Sequence, residues 1–498
     1  METRFFDIAV IGGSLGGVQA ARAASEMGMR VYLCERAEWI GGQLTSQAVP
    51  PDENEWIETE GATASYLQYR RDVRAWYRNH PAASEEMKKQ EVFCPGKSWV
   101  SRVAHSPRLA HQLLASSLKP GLDSGLITLE TGVRCEGAET AGDRVVSVTV
   151  TNETGETGRI EARYFLDATD TGELLPLTKT EYRIGAEGKD ETGEEHALPT
   201  ADPLDQQPVT WVAALTLEKE RQPLEKPDTY DFFSRQTVKG QPLLSWKCWG
   251  GTGLTQFGMF DGEGSGWPLG LWNFRRIQYA PYYTDGRPDA ALLNWPQNDY
   301  VFGPVVDAPR AEEHLSMSRE LTKCVVYWLW EQGYPVRYAG EFLGTEDGLA
   351  QAPYIRESRR ICAKKRILEE EIALLDDPTP VHYDDSVGVG HYAMDLHLTT
   401  HTGTNMYRPA RRFEIPLSAM IPVRMKNLLP ACKNIGATHI TGGCFRLHPV
   451  EWTVGEAAGY LAAYCIRSGV SPSQVLESRL KDFQALLARK GFQLHWQN

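Results

Sequence analysis

The chain has 498 residues, 42% hydrophobic and 23% charged, an ordinary globular balance that is long enough for two or three domains. Its formal net charge is −13 with no Lys/Arg-rich run, which excludes nucleic-acid and anionic-membrane binders as expected classes, and no apolar run approaches the ~18 residues that would span a bilayer. Nine scattered cysteines with no C-x-x-C spacing, and a start at Glu2 that leads straight into a strand without a secretory pattern, predict a reducing, cytoplasmic setting with no iron–sulfur cluster and no redox dithiol.

The first element is D-I-A-V-I-G-G-S-L-G-G, Asp7–Gly17. Ile8, Val10 and Ile11 predict a buried parallel strand. A glycine-rich turn follows, then a helix over Val18–Met27 that stops at Gly28, then a strand Arg30–Cys34 closed by Glu35. Strand, turn, helix, strand and acidic residue form the dinucleotide-binding layout. Gly12 permits the tight turn, Gly17 permits close helix–strand packing, the helix N-terminus faces a pyrophosphate and Glu35 accepts from a ribose. Counted from Gly12, the pattern is G-x-S-x-x-G, with Ser14 at the middle glycine position; a small Ser still lets the backbone approach a phosphate.

Trp39–Ser46, W-I-G-G-Q-L-T-S, adds a glycine pair after the acidic residue. This arrangement resembles flavoproteins of the glutathione-reductase-like FAD superfamily. The resemblance implies that Gly41 and Gly42 pass the pyrophosphate and ribityl chain, and that Gln43–Gln47, Ser46 included, run along the flavin.

Residues 47–100 are polar and aromatic, with a helix expected over Tyr66–Asn79, and suggest a lid or a subunit contact. Pro107–Leu118 predicts an amphipathic helix. Leu126–Glu130, Val133–Glu136, Val145–Val150 and Arg159–Leu166 predict strands, with a meander that returns to the parallel sheet. Leu166–Leu175, L-D-A-T-D-T-G-E-L-L, matches the second signature of the superfamily. There Ala168 and Thr169 pass the cofactor, and Asp170 stands where glycine is commoner.

Residues 177–414 differ in character. Trp246, Trp249, Trp267, Trp272 and Trp295 suggest either core packing or an aromatic-walled pocket. A long helix is expected over Ala311–Gln332. In Pro353–Lys365, Arg356 and Arg360 share a face if the segment is helical, as an anion-binding pair or as solvated charge. His391–His401 holds three histidines; His397 and His401 have i, i+4 spacing, but no third strong ligand stands beside them. A polar active-site rim is expected there, and no metal.

From Phe413 the chain returns to the first unit. Asn427–Pro430 predicts the last parallel strand. Thr441–Gly459 leads into an alanine-rich helix that ends at Gly469. The resemblance implies that its N-terminus points at the flavin, where the positive dipole end would stabilise negative charge on the reduced ring. A last helix starts at Ser471, with Pro472 and a capping box to Gln474.

Four separated segments resemble one branch of the glutathione-reductase-like FAD-dependent oxidoreductases. They are Asp167–Pro176, Leu293–Tyr300 (L-N-W-P-Q-N-D-Y), Pro353–Arg360 (P-Y-I-R-E-S-R-R) and Asn427–His439. The expected fold is α/β, with a Rossmann-like FAD-binding domain split in sequence over 1–176 and 415–470. An inserted α+β substrate domain would cover 177–414, and a C-terminal helix 471–498. The resemblance implies FAD held by Gly12, Gly13, Ser14, Gly16, Gly17, Glu35, Arg36, Gly41, Gly42, Gln43, Ser46, Val133, Ala168, Thr169, Asn434, His448 and Val450. The expected reaction removes a hydride from a C–H next to O or N of a small polar substrate, with sugars or sugar-derived compounds as one class. Oxygen or a separate carrier would take the electrons. A flavin monooxygenase, a flavin-dependent methyl carrier and a non-catalytic flavoprotein are the alternatives. His448, at the mouth of the flavin-facing helix, is the expected base, with His397 and Arg356 in the substrate pocket.

Overall fold

The computed structural model describes residues 2–250, 253–263 and 270–497. The chain begins with strand β1 (Glu2–Ile11), helix α1 (Leu15–Glu26) and strand β2 (Val31–Glu35), the expected unit, with β1 starting five residues before Asp7 and the α1 and β2 boundaries shifted by one to three residues. Helices α2 (Ala64–Arg78) and α3 (Pro107–Asp123) follow; α3 runs past Pro120, five residues beyond its expected end. Strands β3 (Ile127–Thr131), β4 (Val133–Ala141), β5 (Arg144–Asn152) and β6 (Thr157–Asp167) complete the first run.

These strands form one sheet in the order β3-β2-β1-β6-β5-β4. β1 pairs in parallel with β2 (Ile8 opposite Val31) and with β6 (Ile8 opposite Tyr164), while β4, β5 and β6 form the expected antiparallel meander. Ile8–Ile11, Val31–Cys34 and Tyr164–Leu166, at the centre of the sheet, are buried and apolar because both faces are covered there.

A second, antiparallel sheet is built from β7 (Ala213–Leu217), β8 (Arg276–Gln278) and β9 (Ala290–Leu293), followed by helix α4 (Ala311–Glu331) and strand β10 (Val336–Tyr338). Its order is β8-β9-β7-β10, and α4 packs its Leu321, Val325 and Leu329 into the same core. Trp272 and Trp295 are buried in that core, and the Trp246 ring packs tilted against Trp328 at 4.9 Å, so these three rings are packing residues rather than pocket walls. Burial of such large apolar rings is their main energetic contribution. Trp267 lies outside the described residues.

Strands β11 (Ser386–Gly390), β12 (Met394–Leu396), β13 (Phe413–Pro416) and β14 (Leu428–Pro430) come next. β14 adds in parallel to β6, with Leu428 opposite Phe165, as the last parallel strand. Helices α5 (His439–Phe445), α6 (His448–Ser468) and α7 (Leu480–Arg489) close the chain. Gly469 ends α6 at φ 67°, and Ser471 and Gln474 form the expected capping box. The core around α1 and α6 also takes in Val387, Met394, Phe413, Phe483 and Leu487. The stretch 387–413 and the C-terminal helix therefore share that core instead of standing apart from it.

Candidate active site

The nucleotide end is built by the turn after β1. Gly12 has φ +97°, and a Cβ there would sit 2.4 Å from the Ala168 carbonyl carbon, so only glycine fits between β1 and β6. Ser14 is the N-cap of α1, and its Oγ accepts from the Gly17 N–H at 3.2 Å. That capping bond accounts for serine at the middle glycine position. α1 then crosses α6 at van der Waals limits: a Cβ on Gly455 would lie 2.0 Å from the Gly16 carbonyl oxygen, and one on Gly459 2.3 Å from that of Ala20.

Glu35, at the end of β2, accepts from the N–H groups of Gly13 (2.7 Å) and Ala37 (2.8 Å). Burial pushes its carboxyl up to about 7. A cleft of about 500 Å³ opens here at the carboxyl ends of the strands, lined by Gly12, Glu35, Arg36, Gln47, Val133 and Thr169 among others. The buried Gln47 Oε1 has no hydrogen-bond partner. Glycine floor, acidic strand end and unpaired amide oxygen fit a dinucleotide in this cleft. Asp170 lines it too, and pairs with the buried Lys433 at 2.6 Å.

Gly13, Ser14, Gly16, Gly17, Ala168 and Asn434 shape the turn from behind. Asn434 donates to the Asp167 carbonyl at 3.0 Å, and Gly41 N–H donates to the Gly13 carbonyl at 2.7 Å. A Cβ on Gly42 would meet the Ser14 Cα at 3.1 Å, which seats the second glycine pair on the first turn. The buried Gln43 amide donates to the Arg446 carbonyl at 3.0 Å and to the Glu451 carboxylate. Glu451 also accepts from Gly16 N–H at 3.1 Å, so its carboxylate serves the N-terminus of α1 as well as its own helix. Ser46 accepts the Ala352 N–H at 2.9 Å through its carbonyl, laying the segment before Pro353 against the Gln43–Gln47 strip. Val450 is buried in the first turn of α6, where its methyl would contact a Cβ on Gly390.

Beyond that strip lies a continuous charge network. His397 Nδ1 is 2.6 Å from Asp299 Oδ2, and His397 Nε2 is 3.5 Å from Asp395 Oδ2. Arg356 binds Asp299 Oδ1 at 2.8 Å and the Pro208 carbonyl at 2.7 Å. Arg446 donates to Tyr354 OH at 2.6 Å and reaches Asp395 at 3.4 Å. Burial opposes charge on Asp299, but Arg356 and His397 outweigh it and hold the carboxyl at about 2. Burial and Arg356 oppose protonation of His397; Asp299 and Asp395 overcome both and raise its pKa.

The structure thus brings together His397 and Arg356, two of the expected pocket residues, but not in the expected way. Residues 353–359 are not helical, and Arg356 and Arg360 serve different partners: Arg360 binds Glu357 at 2.5 Å and Glu187 at 2.8 Å. Both guanidinium groups are neutralised by protein carboxylates, so they do not form an anion-binding pair. Met394–Leu396 is a strand, so His397 and His401 share no helical face; His401 pairs instead with Asp202. His439 Nδ1 lies 3.0 Å from both Glu357 oxygens beside a cavity of about 130 Å³, lined by Glu187, Glu194 and Leu396. The strand pleat turns Leu396 away from Asp395 and His397, which puts this cavity on the other face of β12.

His448 opens α6 and is 1% exposed. Its Nδ1 accepts the Asp52 backbone N–H at 3.0 Å, and its Nε2 has no partner. Burial lowers its pKa to about 4. Asp52 itself makes a two-pronged ion pair with Arg275, at 3.0 and 3.2 Å.

Asp299, Arg446, Asp52 and Arg275 were not singled out by the sequence, whereas Asp395 stood with the three histidines of His391–His401 and Glu451 was expected to complement the helix dipole. Asp299 lies within L-N-W-P-Q-N-D-Y, whose acidic residue was the available signal; for Asp52–Arg275, 223 residues apart, there was none.

A parallel sheet with a cleft at its carboxyl ends, closed by a helix that returns from the far end of the chain, defines a nucleotide-binding enzyme of the flavoprotein class. The chain belongs to the FAD dependent oxidoreductase family, whose model matches residues 7–487. Its sheet and cleft are those of the Rossmann-like flavoprotein fold. Over 48 residues it is 46% identical to an N,N-dimethylglycine/sarcosine dehydrogenase of Chromohalobacter salexigens, a match covering 10% of this chain and 7% of that enzyme. It is also similar to an L-proline dehydrogenase of P. horikoshii, at 14% identity and TM-score 0.21 over 38% of this chain and 26% of that one. A p-nitrophenol 4-monooxygenase of Pseudomonas putida gives 11% identity and TM-score 0.38 over 99% of this chain and 88% of that one. Likenesses this distant say nothing about the substrate. Among the described residues no helix is long and apolar enough to cross a membrane.

Proposed function

We propose that this oxidoreductase removes a hydride from a C–H bond next to oxygen or nitrogen in a small polar substrate. Sugars and their derivatives are one class to test, and simple amines are another. The observation that carries this reading is the Asp299–His397 pair at 2.6 Å. Asp299 accepts the Nδ1 proton, and Nε2, which faces Asp395 Oδ2 at 3.5 Å, is the atom that takes a hydroxyl or amine proton when the imidazole is neutral. Arg356 fixes Asp299, and Arg446 ties Asp395 to the Gln43–Gln47 strip through the Gln43–Arg446 bond. FAD bound in the cleft would supply the hydride acceptor, and oxygen or a separate carrier would take the electrons.

The base falls to His397 rather than His448, because the Nδ1 of His448 is already engaged as an acceptor. FAD is assigned to 1–176 and 415–470, and substrate contacts to 177–414. Nine free cysteines support a reducing, cytoplasmic setting.

Anaerobic mixing tests the reading. Sugars, polyols, hydroxy acids and amines are screened for bleaching of the visible flavin band without any nicotinamide. A substrate that bleaches the band alone supports a dehydrogenase or oxidase. Bleaching that requires NAD(P)H replaces this reading with a monooxygenase, and a flavin that nothing reduces replaces it with a methyl carrier or a non-catalytic flavoprotein.

A further inference from the structure

A second group of metal-ligating side chains lies away from the flavin network, where the C-terminal tail crosses β13. Glu414 belongs to β13, His382 to the loop before β11, and His495 to the tail after α7. The Glu414 carboxylate is buried. Its Oε1 stands 2.9 Å from His495 Nδ1 and 3.4 Å from His382 Nδ1. One ligand atom from each of the three lies within 4.8 Å of the others. The 2.9 and 3.4 Å spacings to Glu414 are in the range that metal–ligand bonds of ~2.0–2.2 Å produce at ordinary coordination angles, and a small ring movement brings the two imidazoles to the same range.

Three further features fit a metal. Glu414 Oε2 accepts the Tyr383 N–H at 2.7 Å, which aims Oε1 at the two imidazoles. His382 Nε2 faces Asp384 Oδ1 at 3.5 Å, so the carboxylate favours the tautomer with its proton on Nε2 and leaves Nδ1 free as a ligand. Among the described residues no lysine or arginine pairs with Glu414. The contrast is the cluster Glu195, His196 and Glu369, where the Arg408 guanidinium bonds all three and already supplies the cation.

We propose that His382, Glu414 and His495 bind one divalent transition-metal ion, with Zn2+ as the reference, and that the ion staples the C-terminal tail to β13. Two imidazoles and one carboxylate suit Zn2+, Co2+ or Ni2+ rather than the all-oxygen shells of Mg2+ and Ca2+. Water completes the shell, since both imidazoles are partly exposed and leave the ion an entry path. The tail is already seated by the Trp496 indole N–H on the Phe413 carbonyl at 2.9 Å, so the ligands are held in place before the ion arrives. An ion that binds only the seated tail stabilises the fold by mass action.

The test uses tag-free, FAD-loaded protein stripped with chelator and titrated with Zn2+, Mg2+ and Co2+, with metal content, Co2+ visible absorption and Tm as readouts. The expected result is one Zn2+ per chain, a Co2+ band and a rise in Tm, with no response to Mg2+. His382→Ala and His495→Ala each weaken Zn2+ binding at least tenfold while the flavin spectrum stays unchanged. His196→Ala leaves binding as it is. Because Glu414→Gln risks misfolding, the two histidine variants carry the decision. Absence of stoichiometric Zn2+, binding that survives both histidine variants, or an equal response to Mg2+ overturns the proposal.

Discussion

The Nδ1 of His448 accepts the backbone N–H of Asp52 at 3.0 Å, across 396 residues of chain. A backbone N–H only donates, so the neutral ring must carry its own proton on Nε2. With burial holding its pKa at about 4, the ring is neutral throughout the physiological range and presents a donor, not a base. His448→Asn is therefore expected to keep anaerobic flavin reduction within about tenfold. His397→Asn is expected to lose ~100-fold or more with FAD retained, the scale of a positioned general base. Stopped-flow absorbance on both variants decides the matter. The opposite ranking would return the base to His448, and if neither variant slows reduction, His439 is next.

The pH dependence has a definite sign. Burial and Arg356 lower the pKa of His397, but Asp299 and Asp395 raise it further, so the net shift is upward. A base must be unprotonated. The rate of flavin reduction should rise with pH, with its inflection above the ordinary histidine value of about 6.5. Asp299→Asn removes the larger source of that rise and should move the inflection down. A rate that is flat from pH 6 to 9 would exclude His397 as the base.

The same aspartate is structural. Asp299 and Arg356 are both buried and joined at 2.8 Å. Neutralising one partner leaves the other charge buried and unpaired, which costs about 3–5 kcal/mol. Urea unfolding of Asp299→Asn should show a loss of that order, and the double variant Asp299→Asn/Arg356→Met should recover part of it.

The crossing of α1 and α6 sets a steric limit. A Cβ at Gly455 would fall 2.0 Å from the Gly16 carbonyl oxygen, in the first turn of α1 next to the glycine-rich loop. Gly455→Ala should destabilise the protein by roughly 1–3 kcal/mol, as overpacking does. The purified variant should also contain less FAD, read from its visible absorption against its protein content.

Glu35 ends β2 and lines the cleft, whereas Glu38 is exposed and does not line it. Glu35→Ala should weaken FAD binding more than Glu38→Ala, measured by quenching of flavin fluorescence as apoprotein is added. Equal losses would mean that the ribose is held elsewhere.

The sequence by itself determined the elements whose signals are short-range. The β1–α1–β2 unit, the placement of Glu35, the C-cap at Gly469 and the capping box of Ser471 and Gln474 all rest on residues a few positions apart, where strand alternation, cap chemistry and glycine conformation act directly. Whole-chain motifs also singled out His397, Arg356 and Thr169. Tertiary structure alone decided what those residues do. Asp299 meets His397 across 98 residues, Asp52 fixes the tautomer of His448 across 396, and Glu414 gathers two histidines from separate segments. Such pairings leave no periodicity in the chain, because a buried charge needs a partner of opposite sign in space and not at any set distance in sequence. The clustered tryptophans show the same limit: their spacing fits a pocket or a core equally well, and only the packing of α4 on the second sheet settled Trp272 and Trp295 as core.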